Sequence, residues 1–446
     1  MPKNPYVPTR FVVEGLFGHV NHEIDFRNPI TILTGPNGSG KTHVLKLIEA
    51  VMSLNIRVLE TLPFRSCTLE FATGAALSVE RMMTKNPEGL HDIGINTIGN
   101  WDTYHSATNF PNRYTRSRIR REKYRGSLPS WFTKVEPNWW YDERNDVFYR
   151  ETELADILGI EINDLPNKQR EDYIKESPFL NDMIQATCPI FIDTKRLDRV
   201  RQQRSTRQLR GESTPERIVS YIKEIQNQIS DARRASLRVS QKADEEFVSN
   251  LMKKTAIAQP KQAELVERYK ELSALSKELS QNALAGRVHH VAIPEGADST
   301  QRRVLDLFFQ DWQKKLDSLV PVHRKIQSLK RIINDKFIGK KMTLNERGQV
   351  YFQSNDGAIL KVNQLSSGEQ HILALFTRLL FSAEEGSTVL IDEPEISLHV
   401  AWKHQFVADV EEVASISNLT IVLATHSTAI LNGRFELEQG LNIAIS

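Results

Sequence analysis

Of the 446 residues only two are cysteines, Cys67 and Cys188, and neither stands in a CxxC or Cys/His spacing. That scarcity excludes a disulfide framework and a zinc site of the usual spacing, and leaves two reduced, partly buried thiols as the expectation. Long apolar runs are also missing. The longest, TVLI and TIVLAT, fall far short of the ~20 residues that a bilayer helix needs. The opening MPKNPYVPTR carries three prolines and no apolar stretch behind its charges, which is not the pattern of a signal peptide. These absences predict a cytoplasmic protein with no membrane contact. Charge of one sign is scarce too: a formal net charge of +2 supplies no global field for nucleic acid, so any such contact must come from local Arg and Lys clusters. Internal repeats and low-complexity tails are absent as well.

What is present is a chain with 40% hydrophobic and 26% charged residues, enough to bury a sizeable core and carry a second structural unit. Alternating residues at Phe11–Val13 and Glu23–Phe26 read as half-buried strands, and Ile30, Ile32 and Leu33 as a fully buried one running into a glycine-rich turn. A helix follows, with Val44, Leu45, Leu47 and Ile48 as its buried stripe. Further strands are expected at Cys67–Phe71 and Ala76–Glu80, and then a mixed insertion over residues 81–187. Cys188–Asp193, CPIFID, reads as a buried strand because β-branched and aromatic residues run without polar interruption. After it, Ile218, Ile222, Ile225, Ile229 and Ala232 recur at alternating steps of four and three, as do Leu265, Tyr269, Leu272 and Leu279 more weakly. They suggest two antiparallel helices forming a hairpin arm. One further helix, Thr300–Lys336, is expected to turn Val304, Leu307, Phe308, Leu316 and Leu319 toward the sheet. From Lys341 the period returns to two, and the remainder alternates strand and helix, which describes a three-layer α/β sheet.

Four motifs carry chemistry. GPNGSGKT (Gly35, Pro36, Asn37, Gly38, Ser39, Gly40, Lys41, Thr42) matches the phosphate-binding loop at every fixed position, between a predicted strand and a predicted helix. Its glycines let backbone N–H groups face phosphate oxygens at a helix N-terminus. Lys41 can reach β- and γ-phosphates and the Thr42 hydroxyl can ligate Mg²⁺. In STVLIDEPE, Asp392 and Glu393 stand at the carboxyl end of an apolar strand, with Pro394 fixing the turn. In P-loop enzymes the first such acid holds Mg²⁺ and an adjacent one can polarise the attacking water. LSSGEQ, Leu365–Gln370, opens a helix with a serine cap and an acid in its first turn. ATHS, Ala424–Ser427, follows the next strand.

The order of these motifs resembles that of ABC-type P-loop ATPases, and EPEISLHV, with His399 where transporters usually have aspartate, resembles the OLD, RecF and Rad50-like branch. The resemblance implies an α/β ATPase head with an antiparallel β subdomain. Residues 1–80 form its N-terminal part, 188–197 a core strand and 337–446 its C-terminal part, with residues 81–187 as the mixed insertion and 198–336 as the helical arm. It implies ATP and Mg²⁺ as cofactors, and a head-to-head dimer, or a higher oligomer, in which one copy's signature completes the other's phosphate loop. Ser366, Ser367 and Gly368 would then meet the partner's γ-phosphate, Glu393 would be the catalytic carboxylate, His426 the γ-phosphate sensor, and Asp392 with Thr42 the metal site. Ser367 replaces the glycine of many members. For the glutamine that links sheet and γ-phosphate, Gln185 is the candidate.

Two arginine runs remain. NRYTRSRIRREKYRG, residues 112–126, interleaves Arg113, Arg116, Arg118, Arg120, Arg121 and Arg125 with Tyr114 and Tyr124, which suits nucleic acid but equally a solvated face or an acidic protein partner. The second run spans residues 194–211. The sequence ends at Ser446, shortly after ATHS, so a Toprim nuclease domain is not expected to follow. A lone ATPase of this kind resembles the ATPase subunits of bacterial anti-phage systems such as Septu and PARIS. The expected partners are a separately encoded nuclease of Toprim or HNH type and a DNA or phage trigger. The alternatives are a RecF-like repair ATPase and an ATP-gated scaffold with negligible hydrolysis.

Overall fold

The structure, a computed structural model, describes residues 6–27, 29–85, 91–98, 132–136, 139–142, 147–150, 178–187, 189–193, 214–253, 260–286, 293–294 and 296–441. Both arginine runs and Cys188 lie outside them. Strands β1 (Pro8–Leu16) and β2 (Val20–Asp25) pair antiparallel, and β2 alternates buried and exposed residues strictly, as a half-buried strand does. Strand β3 (Ile30–Thr34) is buried almost throughout and leads into α1 (Lys41–Ser53), which is followed by α2 (Ile56–Thr61). The antiparallel sheet continues with β4 (Ser66–Phe71), β5 (Ala76–Lys85) and β6 (His91–Ile98), in the order β2-β1-β4-β5-β6. It therefore extends past residue 80, where the sequence placed the start of the insertion. A separate meander, β7 (Phe132–Glu136), β8 (Trp139–Asp142) and β9 (Val147–Arg150), lies within that insertion. Cys67 on β4 is buried and unpaired in any disulfide, and burial pushes its thiol far up.

Helix α3 (Pro178–Thr187) precedes β10 (Ile190–Asp193). Four helices follow: α4 (Thr214–Lys253), α5 (Gln262–Gln281), α6 (Ser299–Asp317) and α7 (Val320–Lys336). Helix α6 packs along both α4 and α5, so the arm is a layer of three helices rather than a simple pair. Its buried stripe joins Ile222, Ile225, Ile229 and Ala232 of α4 to Leu265, Leu272 and Leu279 of α5 and Phe309 of α6 in one core. The single helix expected over Thr300–Lys336 is broken at Ser318 and Leu319 because Pro321 sits in the first turn of α7. Proline is tolerated there but not in a helix interior, where it removes an N–H and crowds the preceding turn. On α6 it is Phe309 that is buried, whereas Phe308 is 42% exposed.

The C-terminal part contributes β11 (Lys340–Leu344), β12 (Val350–Ser354) and β13 (Ile359–Leu360) as a small antiparallel sheet, followed by α8 (Ser367–Thr377) and a π-helical turn at Arg378–Ser382. It ends with β14 (Thr388–Asp392), α9 (Val400–Ser417), β15 (Thr420–Ala424), α10 (Thr428–Leu431) and β16 (Glu438–Gly440). The central sheet has the order β10-β14-β15-β3-β16, and every neighbouring pair is parallel. Alternate residues feed two cores. Val389, Ile391, Ile421, Leu423, Ile30 and Ile32 face α7, α8 and α9, while Leu390, Val422, Ala424 and Leu33 face α1 and the antiparallel sheet. Covering both faces is what makes these strands read as unbroken apolar runs. Among the described residues no helix is long and apolar enough to cross a membrane.

One buried ion pair ties two of the helices covering this sheet. Lys336, at the end of α7, pairs with Asp409 of α9, their side chains 1% and 5% exposed, and the other Asp409 oxygen accepts from Arg331 at 3.0 Å. Asp409→Ala would leave a buried ammonium uncompensated, which is expected to cost about 3–5 kcal/mol. The urea-unfolding midpoint measures it.

Candidate functional site

In-register pairing puts Asp193 beside Asp392, Asp392 beside Ala424, and Ala424 beside Leu33. The carboxyl ends of β10, β14, β15 and β3 thus line up along one edge, the edge where open α/β sheets hold ligands. The loop leaving β3 curls there. Gly35 has no room for a side chain, since a Cβ would lie 2.8 Å from both Leu441 O and Ser39 Oγ. Gly40, the residue before α1, adopts φ 89° with Leu16 at 2.8 Å from where a Cβ would be. Both positions therefore require glycine.

Lys41 folds back over this loop. Its ammonium donates to Gly35 O at 2.7 Å, Pro36 O at 3.0 Å and Ser39 Oγ at 3.3 Å. Burial pulls its pKa below the ordinary lysine value, against the opposing pull of Glu393, Asp392 and Glu395. Next to it, Thr42 Oγ1 donates to the Asp392 carboxylate, at 2.9 and 3.1 Å from its two oxygens, and Asp392 is buried. A hydroxyl and a carboxylate from residues 350 positions apart are thereby brought within bonding distance. Glu393 follows in a left-handed backbone conformation, φ 48° and ψ 54°, which costs a non-glycine residue roughly 1–2 kcal/mol and clusters at functional sites. Its N–H donates to Ala424 O at 2.9 Å, and its Oε1 lies 3.4 Å from His426 Nε2. The backbone of His426 is held by Glu395, whose Oε1 accepts its N–H at 2.8 Å.

Residues 193–432, more than half of the chain, match the family described as "AAA domain, putative AbiEii toxin, Type IV TA system". The chain belongs to this AAA-domain family. A second AAA-domain model matches residues 10–59, the stretch that carries the phosphate loop, and the protein is accordingly a nucleotide-binding P-loop ATPase. No curated protein matches the sequence. Among solved structures, the Smc head domain of Pyrococcus furiosus, with an extended coiled coil and bound to the C-terminal domain of ScpA, is 12% identical with a TM-score of 0.36, covering 95% of this chain and 90% of its own. The SMC head domain of Thermotoga maritima is 11% identical with a TM-score of 0.34, covering 97% and 94%.

In this AAA-family ATPase the signature serines lie elsewhere. Ser366 caps α8, and Glu369 completes a capping box. Helix α8 belongs to the core on the opposite sheet face from α1. Among the described residues neither Ser366 nor Gly368 hydrogen-bonds to the loop 35–42. Ser366 is exposed. Burial raises the Glu369 pKa, but bonds from Lys340 and Ser366 outweigh it and leave the carboxyl below its usual range. His399 caps α9, its Nδ1 accepting from Ala401 N–H at 3.3 Å.

The backbone of Gln185, the candidate link between sheet and γ-phosphate, is not on this edge. It lies on α3, ahead of the N-terminal end of β10, and two residues later Thr187 bonds Met52 O near the far end of α1. At 1.5 Å rise per residue that is roughly 16 Å along α1 from Lys41. The strand end that meets the site is Asp193.

Two residues at this edge lie outside the four motifs. Phe17, partly exposed in a left-handed backbone conformation, packs edge-on against His43 of α1 at 4.9 Å between ring centres. His22 Nε2 lies 2.9 Å from Ser39 O beneath the phosphate loop. Its signal was available, because β2 alternation puts it on the inward face with Val20 and Ile24. Burial lowers its pKa. Glu395 stands inside STVLIDEPE, but its bond to the His426 N–H is a contact that no local pattern announces.

Proposed function

We propose that this protein is an ATP-driven switch whose nucleotide sites are completed by a second copy, and that it controls a separately encoded nuclease in anti-phage defence. The observation that carries the switch is the separation of two half-sites. The phosphate loop with Thr42, Asp392, Glu393 and His426 is gathered at one edge, whereas Ser366, which caps α8, is exposed and bonded to none of them. A triphosphate held by one copy offers its γ-phosphate to the other's Ser366, Ser367 and Gly368.

Mg²⁺ fits the residues present. The Thr42 hydroxyl and Asp392 carboxylate are hard oxygen donors already in contact, and Mg²⁺ takes its remaining ligands from phosphates and water. Among the described residues no group of three or more His, Cys, Asp and Glu could hold a metal without that help. When bound, the ion neutralises phosphate charge. Glu393 accepts a proton from the attacking water, and His426 lies against it to read the γ-phosphate. The family description, with its toxin and Type IV TA system, supports a defence setting rather than a housekeeping one.

The test uses light scattering of the Glu393→Gln protein, with and without ATP and Mg²⁺, and co-expression with a nuclease encoded by a neighbouring reading frame. A doubled mass with ATP, and a nuclease retained only then, are the expected results. A monomer at saturating nucleotide would sink the composite site. Turnover of the parent protein stimulated by DNA, with no nuclease retained, would move the protein to repair.

A further inference from the structure

Lys340 opens β11, and its ammonium lies 2.7 and 2.9 Å from the two oxygens of Glu369. The Glu369 side chain is 10% exposed and that of Lys340 24%. Glu369 Oε2 also accepts the Ser366 N–H at 2.7 Å, whereas the return bond, from Glu369 N–H to Ser366 Oγ, is 3.4 Å long. A bond of that length is weak. The serine backbone is therefore gripped while its hydroxyl is held loosely. Gln370 braces the same turn from behind, donating to Leu365 O at 2.9 Å and Val362 O at 3.3 Å.

A capping box needs no cation, because the glutamate accepts the capping N–H unaided. Glu369 nevertheless has one bonded to both of its oxygens. An almost buried carboxylate one turn behind the serine would repel a triphosphate arriving at that serine, and like charges brought together at an interface cost several kcal/mol. Lys340 supplies the compensating charge, and its position at the start of the small antiparallel sheet gives that sheet a connection to the nucleotide.

We propose that Lys340 is a positioning residue for the half of the nucleotide site contributed in trans. It fixes Glu369 and neutralises it, so that Ser366 can meet the γ-phosphate of a nucleoside triphosphate bound to a second copy. The proposal rests on the composite-site reading above.

The experiment compares Lys340→Met, Lys340→Arg and the pair Lys340→Met/Glu369→Gln in the full chain. Fluorescent ATP binding is measured on each as such, and ATP-driven dimer mass in the Glu393→Gln background. Lys340→Met should bind ATP like the parent but dimerise at least about tenfold more weakly, given the cost of the unbalanced carboxylate. Both Lys340→Arg and the double variant should restore dimerisation. Parental dimerisation by Lys340→Met, or no recovery in the double variant, would overturn the proposal. Should Lys340→Met fail to fold, Glu369→Gln keeps it testable: charge compensation predicts a dimer at least as tight as the parent's, a merely structural ion pair predicts a weaker one. A parent that stays monomeric with ATP removes the composite site and this proposal with it, whereas a parent that dimerises beside an unaffected Lys340→Met removes this proposal alone.

Discussion

Glu393→Gln is expected to keep ATP bound while turnover falls by about 10²–10⁴-fold, the range for removing a positioned general base. The geometry argues for a clean separation of the two effects. Glu393 is oriented by its backbone, with φ 48° and its N–H bonded to Ala424 O, and neither feature depends on the carboxylate. Glutamine is nearly isosteric and keeps an oxygen facing His426, so the turn should hold its shape. The contacts offered to phosphates come from the loop 35–42 and from Thr42 with Asp392, which the substitution leaves alone. Phosphate release under single-turnover conditions, beside nucleotide affinity, gives both numbers. Parental turnover would remove Glu393 from the role of base.

How much of this was legible before the fold was known depends on how local each signal is. The phosphate loop could be read in full because a tight turn, a close approach and a helix start impose residue types within a few positions, as Gly35 and Gly40 show. The DE pair at the end of β14 was legible for the same reason, a buried strand followed by a turn that Pro394 fixes. Gln185 was chosen for its nearness to β10, but composition announces a strand and not which of its ends reaches the ligand. Parallel register with β14 decides that, and it selects Asp193. Phe308 and Phe309 are adjacent, so a period of 3.6 accommodates either one inward, and packing against α4 and α5 chose Phe309. The arm's stripes are buried at Ile222, Ile225, Ile229 and Ala232 and at Leu265, Leu272 and Leu279, but a stripe does not name its partner, and α6 lay between the two expected helices. Lys340 and Glu369 are 29 positions apart and Thr42 and Asp392 are 350 apart. Only the second pair was foreseeable, because each of its members belonged to a motif.

Lys41→Ala should act on nucleotide binding itself. A net hydrogen bond to a charged group contributes about 1.5–3 kcal/mol, so its loss corresponds to roughly 10- to 150-fold in Kd. The lysine also holds the loop in shape, since it bonds Gly35 O, Pro36 O and Ser39 Oγ at once. Alanine removes those three bonds together with the phosphate contact, which places the expected loss toward the upper end of that range. His22, bonded to Ser39 O from the neighbouring sheet, keeps part of the loop anchored, so the fold should survive and thermal unfolding without nucleotide should change little. The distinguishing measurement is the shift of the unfolding temperature on adding ATP and Mg²⁺. Ligand binding to the folded state alone raises stability in proportion to the logarithm of ligand over Kd, so Lys41→Ala should lose most of the shift that Glu393→Gln retains. Equal shifts in the two variants would mean that the triphosphate is not held at this loop.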